Sequence, residues 1–458
     1  MTKGKKMGGK MSDTTANAGQ AGGGFLESRF RLSERRTTAR TEILAGATTF
    51  LAAAYLLVVI PGFLATGGMD RAAATTTTII VFVFATLLMA FYANLPFIVG
   101  PGIGGSVIVG VTMAASEHIP WPVGLAAAFW SGIIFFILTL LGLREVVTRM
   151  IPVQIKLSLA ASIGLFIAVL GFHNAGLVLA NPRTNSLMLG NFTAPGAEVA
   201  LIGLGVAVLL HARKIPGSIL IAILAATAVG VPLGVTRLPA SFVSLPHDIS
   251  PVFLKLDVLG AFNLLLFPYL FAFFASEFFS TMGTTLAVGG KAGLLDENGN
   301  MKDINKPFVV DSIAASVGPL LGIPGLTALI ESAAGAEAGG RTGLTALAAA
   351  GFFFLALFLV PVALMIPAQA TAPALILIGL TMFAGIRKVD LEDFTEGLPA
   401  VLTVLITLLS NSFGTGIAGG LLSYVLIKVL AGRWRDVSVG MYVLVLPLAY
   451  FFWTVVRH

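Results

Sequence analysis

Residues 321–343 read LGIPGLTALIESAAGAEAGGRTG. The stretch lies between apolar runs, yet it holds Glu331, Glu337 and Arg341. It also holds six glycines and one proline, too many helix breakers for an ordinary membrane span. Apolar flanks, a broken middle and carboxylates at depth are the pattern of a discontinuous transmembrane helix that lines a site.

The rest of the chain agrees. Of 458 residues, 57% are hydrophobic and 11% charged, against roughly 25% charged in soluble domains. Apolar runs of about 20 residues recur from Thr41 onward, each long enough to cross a bilayer. The expected fold class is an all-α polytopic membrane protein. The alternating ten-residue segments of a β-barrel are not found. Basic residues sit in the N-terminal tail and in short loops, where they set membrane orientation, so no nucleic-acid partner is expected. Cysteine is absent, which excludes disulfides and thiol chemistry. The histidines form no H-x-x-x-H pair and there is no Walker A motif, so no metal, no cofactor and no ATP-driven step is expected. Residues 1–24 read as a disordered cytoplasmic tail without a signal-peptide core. Residues 25–41 read as a charged, amphipathic approach in the cytosol or interface. DENG at 296–299 reads as a cytoplasmic turn.

The apolar runs place spans at 42–62, 75–94, 97–115, 121–142, 155–172, 196–212 and 216–234. After an external stretch they continue at 262–288, 308–321, 325–340, 345–366, 370–386, 397–410 and 413–431. With the N-terminus inside, Arg144 and Arg149 fall inside, as do Arg213 and Lys214, then Lys291, Lys302 and Lys306, then Arg387 and Lys388, then Arg433 and Arg435. This pattern holds for about fourteen spans. A last run, 440–456, is either a further span or interfacial.

The third segment is broken as well. NLPFIVGPGIGGSVIVG, residues 94–110, has two prolines and five glycines. The third and tenth segments are seven apart, and seven is odd, so two seven-span halves have opposite topology. Inverted repeats with paired broken helices mark the midplane site of many secondary transporters. LPFIV and ALIES suit short extended pieces that satisfy each other's backbone groups.

Charge at membrane depth costs at least a few kcal/mol, so buried acids are functional candidates. Glu277, within FAFFASEFFSTMGTT, lies mid-way along the eighth span, and Glu331 lies at the later break. Each accepts hydrogen bonds when ionised and donates one when protonated, which makes both candidates for substrate binding and proton coupling. A structural buried acid is the competing reading. Glu337 and Arg341, four apart, read as a structural ion pair on a helix surface. Asp311 reads as a capping or interfacial acid, and Lys156 as a residue snorkelling to the interface. Ser106 and Ser332, just past the two breaks, either bind a polar ligand or cap half-helices. Phe50, Tyr55, Phe274 and Phe278 either stack on a flat ring or pack.

GATTFLAAAYLLVV, GMDRAAATTTT, ANLPF, KLSLAASIGLFIAVLGFHNAG, TMGTTLAVGGKAGLLDENG, IESAAGAEAGGRTGLTAL and QATAPALILIGLTM together carry a resemblance. The chain is similar to the nucleobase–ascorbate transporter superfamily, in its azaguanine/hypoxanthine–guanine permease-like branch. The resemblance implies two inverted seven-span repeats. The first four spans and spans 8–11 form a core domain (42–142 and 262–366), and the others a gate domain (143–261 and 367–431). Residues 432–458 are an extra apolar segment. It implies a substrate site at the third, eighth and tenth segments, with Glu277 and Glu331 as binding carboxylates and Tyr55, Thr49, Gly105, Ser106, Phe274, Ser280 and Ser332 around them. It also implies proton-coupled uptake with elevator-like core movement, a homodimer, and placement in a bacterial inner membrane. The branch reads G-M-G-x-N-A-[FY] in the third segment, where this chain has GIGGSVI. It reads V-D-x-x-D-T-x-G-T in the eighth, where this chain has SEFFSTMGT.

The expected function is proton-coupled import of a nucleobase, first of all a purine. The alternative is the same scaffold moving another small organic solute or anion. A membrane-embedded enzyme is disfavoured, because no nucleophile–base or metal constellation accompanies the two carboxylates.

Overall fold

The computed structural model describes residues 24–143, 152–180, 187–296, 301 and 303–457. The expectations for the tail up to 23, for Arg144 and Arg149, for Lys302, and for most of the DENG turn lie outside the described residues.

The described chain is mostly helical. Nine among the described residues are long and apolar enough to cross a membrane: Ala39–Thr66, Arg71–Ala93, Trp121–Leu140, Val153–Asn174, Pro195–Ala212, Leu264–Lys291, Gly343–Met365, Ala368–Lys388 and Phe413–Leu430. Shorter apolar helices cover Ile103–Ser116, Ser218–Gly230, Phe394–Ser410 and Val439–Thr454, and Asn305–Leu320 forms the ninth segment. The protein is thus an integral membrane protein. The run at 440–456 is helical (Val439–Arg457) and packs on the fourteenth segment, Phe413–Leu430.

Among the described residues, four short strands interrupt the helices: β1 (Val99–Pro101), β2 (Val178–Ala180), β3 (Leu187–Leu189) and β4 (Leu326–Ala328). β2 and β3 pair as a hairpin that the sequence reading did not anticipate. β1 and β4 belong to the two glycine-rich breaks and pair antiparallel, Val99 opposite Ala328, Gly100 opposite Thr327 and Pro101 opposite Leu326. The pair is extended by Leu329 N–H to Ile98 O (3.0 Å) and Gly102 N–H to Gly325 O (2.7 Å). Each outer edge is held by a side chain. Thr86 Oγ1 lies 3.2 Å from both Val99 N and Val99 O. Asp311 Oδ2 accepts from Ala328 N at 2.7 Å.

Just beyond the strands the two breaks touch backbone to backbone. A Cβ on Gly105 would stand 2.9 Å from the Gly325 Cα, and Gly325 has φ +68°. Only glycine satisfies both demands at position 325.

A second buried acid organises one end of the core. Glu42, at the start of the first helix, is fully buried. Its carboxylate accepts from the N–H groups of Arg341, Thr342 and Thr345 and from the hydroxyls of Thr342 and Thr345. It therefore holds the turn that enters the Gly343–Ala356 helix and one free donor of its first turn, Thr345 N–H. Asn94 adds Gly343 N–H to the same cap and donates to Phe30 O.

Within residues 25–41 the chain forms the helix Phe25–Phe30, and Phe30 is buried with Leu32 and Leu344. Three expectations are corrected here. Glu337 and Arg341 do not pair, because the helix ends at Glu337 and the chain turns at Gly339 (φ +105°). Glu337 instead takes Lys291 at 2.5 Å, and Arg341 donates to the Ala336 and Gly340 carbonyls. Asp311 is not interfacial but fully buried. Lys156 does not simply reach for the interface, because its Nζ lies 4.4 Å over the Phe279 ring at the edge of the cavity described below.

Two predictions follow from these constraints. Glu42→Gln leaves several donors without an acceptor and should cost about 3 kcal/mol. The thermal midpoint of the purified protein should fall by several degrees, whereas Thr48→Ala, whose hydroxyl only bonds back to Leu44 O, should leave it unchanged. Gly325→Ala should remove ligand binding, measured by thermal shift, because it both strains the backbone and pushes the two breaks apart.

Candidate functional site

The crossing of the two breaks floors a cavity of about 460 Å³. Its walls come from the first, third, eighth and tenth segments on one side. The fifth, twelfth and fourteenth contribute Ile163, Met382 and Phe413 on the other.

The first helix is interrupted where it reaches the cavity. It stops at Ala53 and restarts at Leu56, and Tyr55 sits in the gap. The Tyr55 hydroxyl donates to Glu331 Oε1 at 2.6 Å. Glu331 itself follows β4 and stands at the start of the half-helix Ser332–Glu337. Glu277 faces the same cavity from the middle of the eighth segment. It is 2% exposed, and neither carboxylate oxygen has a hydrogen-bond partner. Ser280, one helical step further, also lines the cavity, as does Gly105 at the crossing. The structure therefore brings together Tyr55, Gly105, Glu277, Ser280 and Glu331.

It does not bring the remaining candidates to the cavity wall. Phe274 is turned away, because its ring stacks on Phe278 (5.6 Å) and meets Phe135 edge-on (6.3 Å) in a separate apolar cluster. Thr49 bonds back to Ala45 O and packs against Gly335, where an added Cβ would overlap its hydroxyl. Ser332 Oγ accepts from Ile98 N at 3.0 Å and so completes the strand pair. Ser106 is fully buried, 3.4 Å from Gly102 O within its own half-helix. The two serines are thus structural partners of the breaks.

Other lining residues escaped the sequence reading. Phe279 and Phe413 provide aromatic faces, and Thr284 and Thr327 provide hydroxyls. Phe279 sits two positions after Glu277, a spacing that puts it off the acid's face of an ideal helix. Thr327 lies just before ALIES, the piece expected to be extended, because the strand forms earlier, at Leu326–Ala328.

Residues 40–423 match a family model described as a permease family, Xan_ur_permease. The chain is 37% identical over 425 residues to the adenine permease AdeP of Escherichia coli (strain K12), covering 93% of this chain and 94% of that one. It is 33% identical over 439 residues to the guanine/hypoxanthine permease GhxP of Escherichia coli O157:H7, covering 94% and 97%. With the guanine/hypoxanthine permease PbuO of Bacillus subtilis (strain 168) it shares 35% identity over 415 residues, covering 89% and 96%. Among solved structures, the transmembrane domain of the cyanobacterium bicarbonate transporter BicA superposes with a TM-score of 0.61 at 20% identity, covering 81% of this chain and 96% of that one. That likeness concerns the fold alone. The chain belongs to this permease family, among the nucleobase–ascorbate transporters it resembles in sequence, and is a transporter and not an enzyme.

Proposed function

We propose that the protein is a proton-coupled importer of a purine nucleobase. Its support is the permease family together with one observation: Glu277 and Glu331 line a single cavity, and Glu277 presents two carboxylate oxygens without partners. A cavity of about 460 Å³ falls in the range of small-molecule sites, roughly 300–1,000 Å³. A purine edge carries ring and exocyclic N–H donors that carboxylate oxygens accept, and Phe279 and Phe413 offer apolar faces to its plane. A proton taken up with the purine lets the loaded site cross the low-dielectric region with less charge.

The cavity's two walls support the division into a core (42–142 and 262–366) and a gate (143–261 and 367–431). The antiparallel meeting of the third and tenth segments supports two inverted seven-span repeats. In this reading the core slides against the gate as an elevator. The chain sits in a bacterial inner membrane with its N-terminus in the cytoplasm, and two copies form a dimer. A second reading, transport of a small organic anion, draws on Lys156 at the cavity wall and on the half-helix Ile103–Ser116, whose N-terminus begins there.

Radiolabelled adenine, guanine and hypoxanthine uptake into proteoliposomes tests the proposal. Accumulation should need an inward proton gradient and collapse with a protonophore. Glu277→Gln and Glu331→Gln should each lower purine affinity about tenfold or more, the cost of one charge-assisted contact, with folded protein undiminished. Gradient-independent uptake, or wild-type affinity in both variants, contradicts it. Thermal stabilisation by organic acids and by no purine selects the second reading.

A further inference from the structure

We propose that Glu117, Tyr269 and Ser412 form an outer latch of the transporter, a hydrogen-bonded cluster that joins core and gate above the cavity and opens when the site turns to the outside. The inference rests on the core and gate division proposed above.

Tyr269 stands near the start of the eighth segment and is fully buried. Its hydroxyl donates to Glu117 Oε1, at the end of the third segment. Both residues belong to the core. The same hydroxyl oxygen lies 3.2 Å from Ser412 Oγ, and Ser412 belongs to the gate. Ser412 caps the fourteenth segment, where its Oγ accepts from Thr415 N–H (3.1 Å) and from the Thr415 hydroxyl (3.0 Å). The Tyr269 proton goes to Glu117, and Ser412 Oγ is the acceptor in both bonds to Thr415. The proton of the 3.2 Å contact is therefore Ser412's own. One chain of bonds runs from the gate through the phenol to the carboxylate, and each bond polarises the next.

The two sides also approach closely. A Cβ on Gly414 would stand 2.6 Å from Tyr269 Cζ, so the glycine lets the fourteenth segment begin directly against the phenol ring. Phe451 meets the same ring edge-on at 6.3 Å.

The cluster sits at the outer end of the cavity. The basic loops put Lys291, the far end of the eighth segment, inside. The start of that segment, the end of the third and the turn between the thirteenth and fourteenth then all lie outside. Phe273, one helical turn past Tyr269, lines the cavity, and so does Phe413, next after Ser412. Toward the inside the lining continues along the eighth segment to Ser280 and Thr284.

Packing alone does not require this chemistry, because a phenylalanine at 269 would keep the ring contacts. What the hydroxyl adds is a pair of bonds to two other segments, one of them across the seam. When the core slides, Glu117 travels with Tyr269, and the contact that breaks is the one to Ser412. A bond between two hydroxyls is neutral and modest, so it can be broken and remade in every cycle, whereas separating a buried ion pair strands a charge.

The chain has no cysteine, so a single one reports access to the cavity. Ser276→Cys places it on the cavity wall, two turns inward from Tyr269. With the latch intact, a charged, membrane-impermeant methanethiosulfonate should label it slowly from outside, in spheroplasts, and faster from inside, in inverted membrane vesicles. Adding Tyr269→Phe should raise the outside rate about fivefold or more, the loss of one net hydrogen bond, and should lower the inside rate. Ser412→Ala, which removes the gate's hydroxyl, should move both rates the same way. Unchanged outside labelling in folded Tyr269→Phe protein overturns the proposal, as does faster outside than inside labelling with the latch intact. A rise from both sides overturns it too, since that marks loosened packing. Loss of folded protein in both variants would make the cluster a contact of the fold and likewise overturn it. Labelling needs no substrate. Failure of wild-type purine uptake, with opposite shifts in the two labelling rates, would contradict the proposed substrate and leave the latch standing.

Discussion

Two interrupted segments meet inside a medium that offers their backbones no water. Every N–H and C=O exposed by the breaks at 94–110 and 321–343 needs a partner within protein. The antiparallel pair of β1 and β4 supplies it, and Thr86, Asp311 and Ser332 close its margins. Because the pair is only three residues long, its register fixes where everything beyond it lies. Gly105 and Gly325 come into contact, and Glu331 emerges from β4 opposite Tyr55. Glu277 reaches the same cavity from the eighth helix.

The site is lined mainly by apolar side chains and glycines, with Glu277 from a whole helix and Glu331 from a break set among them. That contrast gives the carboxylates their leverage. A hydrogen bond or proton gained there is worth more than at a surface, because water does not compete for it. The same property explains the reliance on buried hydroxyls. Threonines at 281 and 327 link the cavity to Asp311 without adding charge. At the far end of the core, Glu42 performs a different task. It is saturated with five donors and is therefore fixed in place, whereas Glu277 has none.

Much of this was legible in the sequence. Glycine and proline clusters inside apolar runs located both breaks, and acids at depth singled out Glu277 and Glu331. The missed features share one cause, since each depends on partners distant in the chain. Asp311 looks like an interfacial acid because it lies near the start of its helix, and only the fold shows β4 lying against it. Glu42 is the first residue of the expected span 42–62 and drew no reading of its own, and its five donors lie some 300 positions away. Glu337 and Arg341 have the spacing of a helical pair, but the helix ends between them. Phe274 shares a helix with Glu277, yet Phe135 and Phe278 offered its ring a better-packed place than the cavity.

The chain has no cysteine, so a disulfide tests the strand pair directly. Val99 and Ala328 face each other in the register described. Opposed residues of an antiparallel pair lie about 4.5–5.5 Å apart at Cα, within the roughly 4.4–6.8 Å span of a disulfide. A Val99→Cys/Ala328→Cys double variant, with a protease site placed in the loop at the exposed Leu245, should run as one band after oxidation and cleavage and as two after reduction. Two bands under oxidising conditions, in protein that keeps the wild-type thermal midpoint, would mean that the two breaks do not meet and that the cavity between the acids is not built this way.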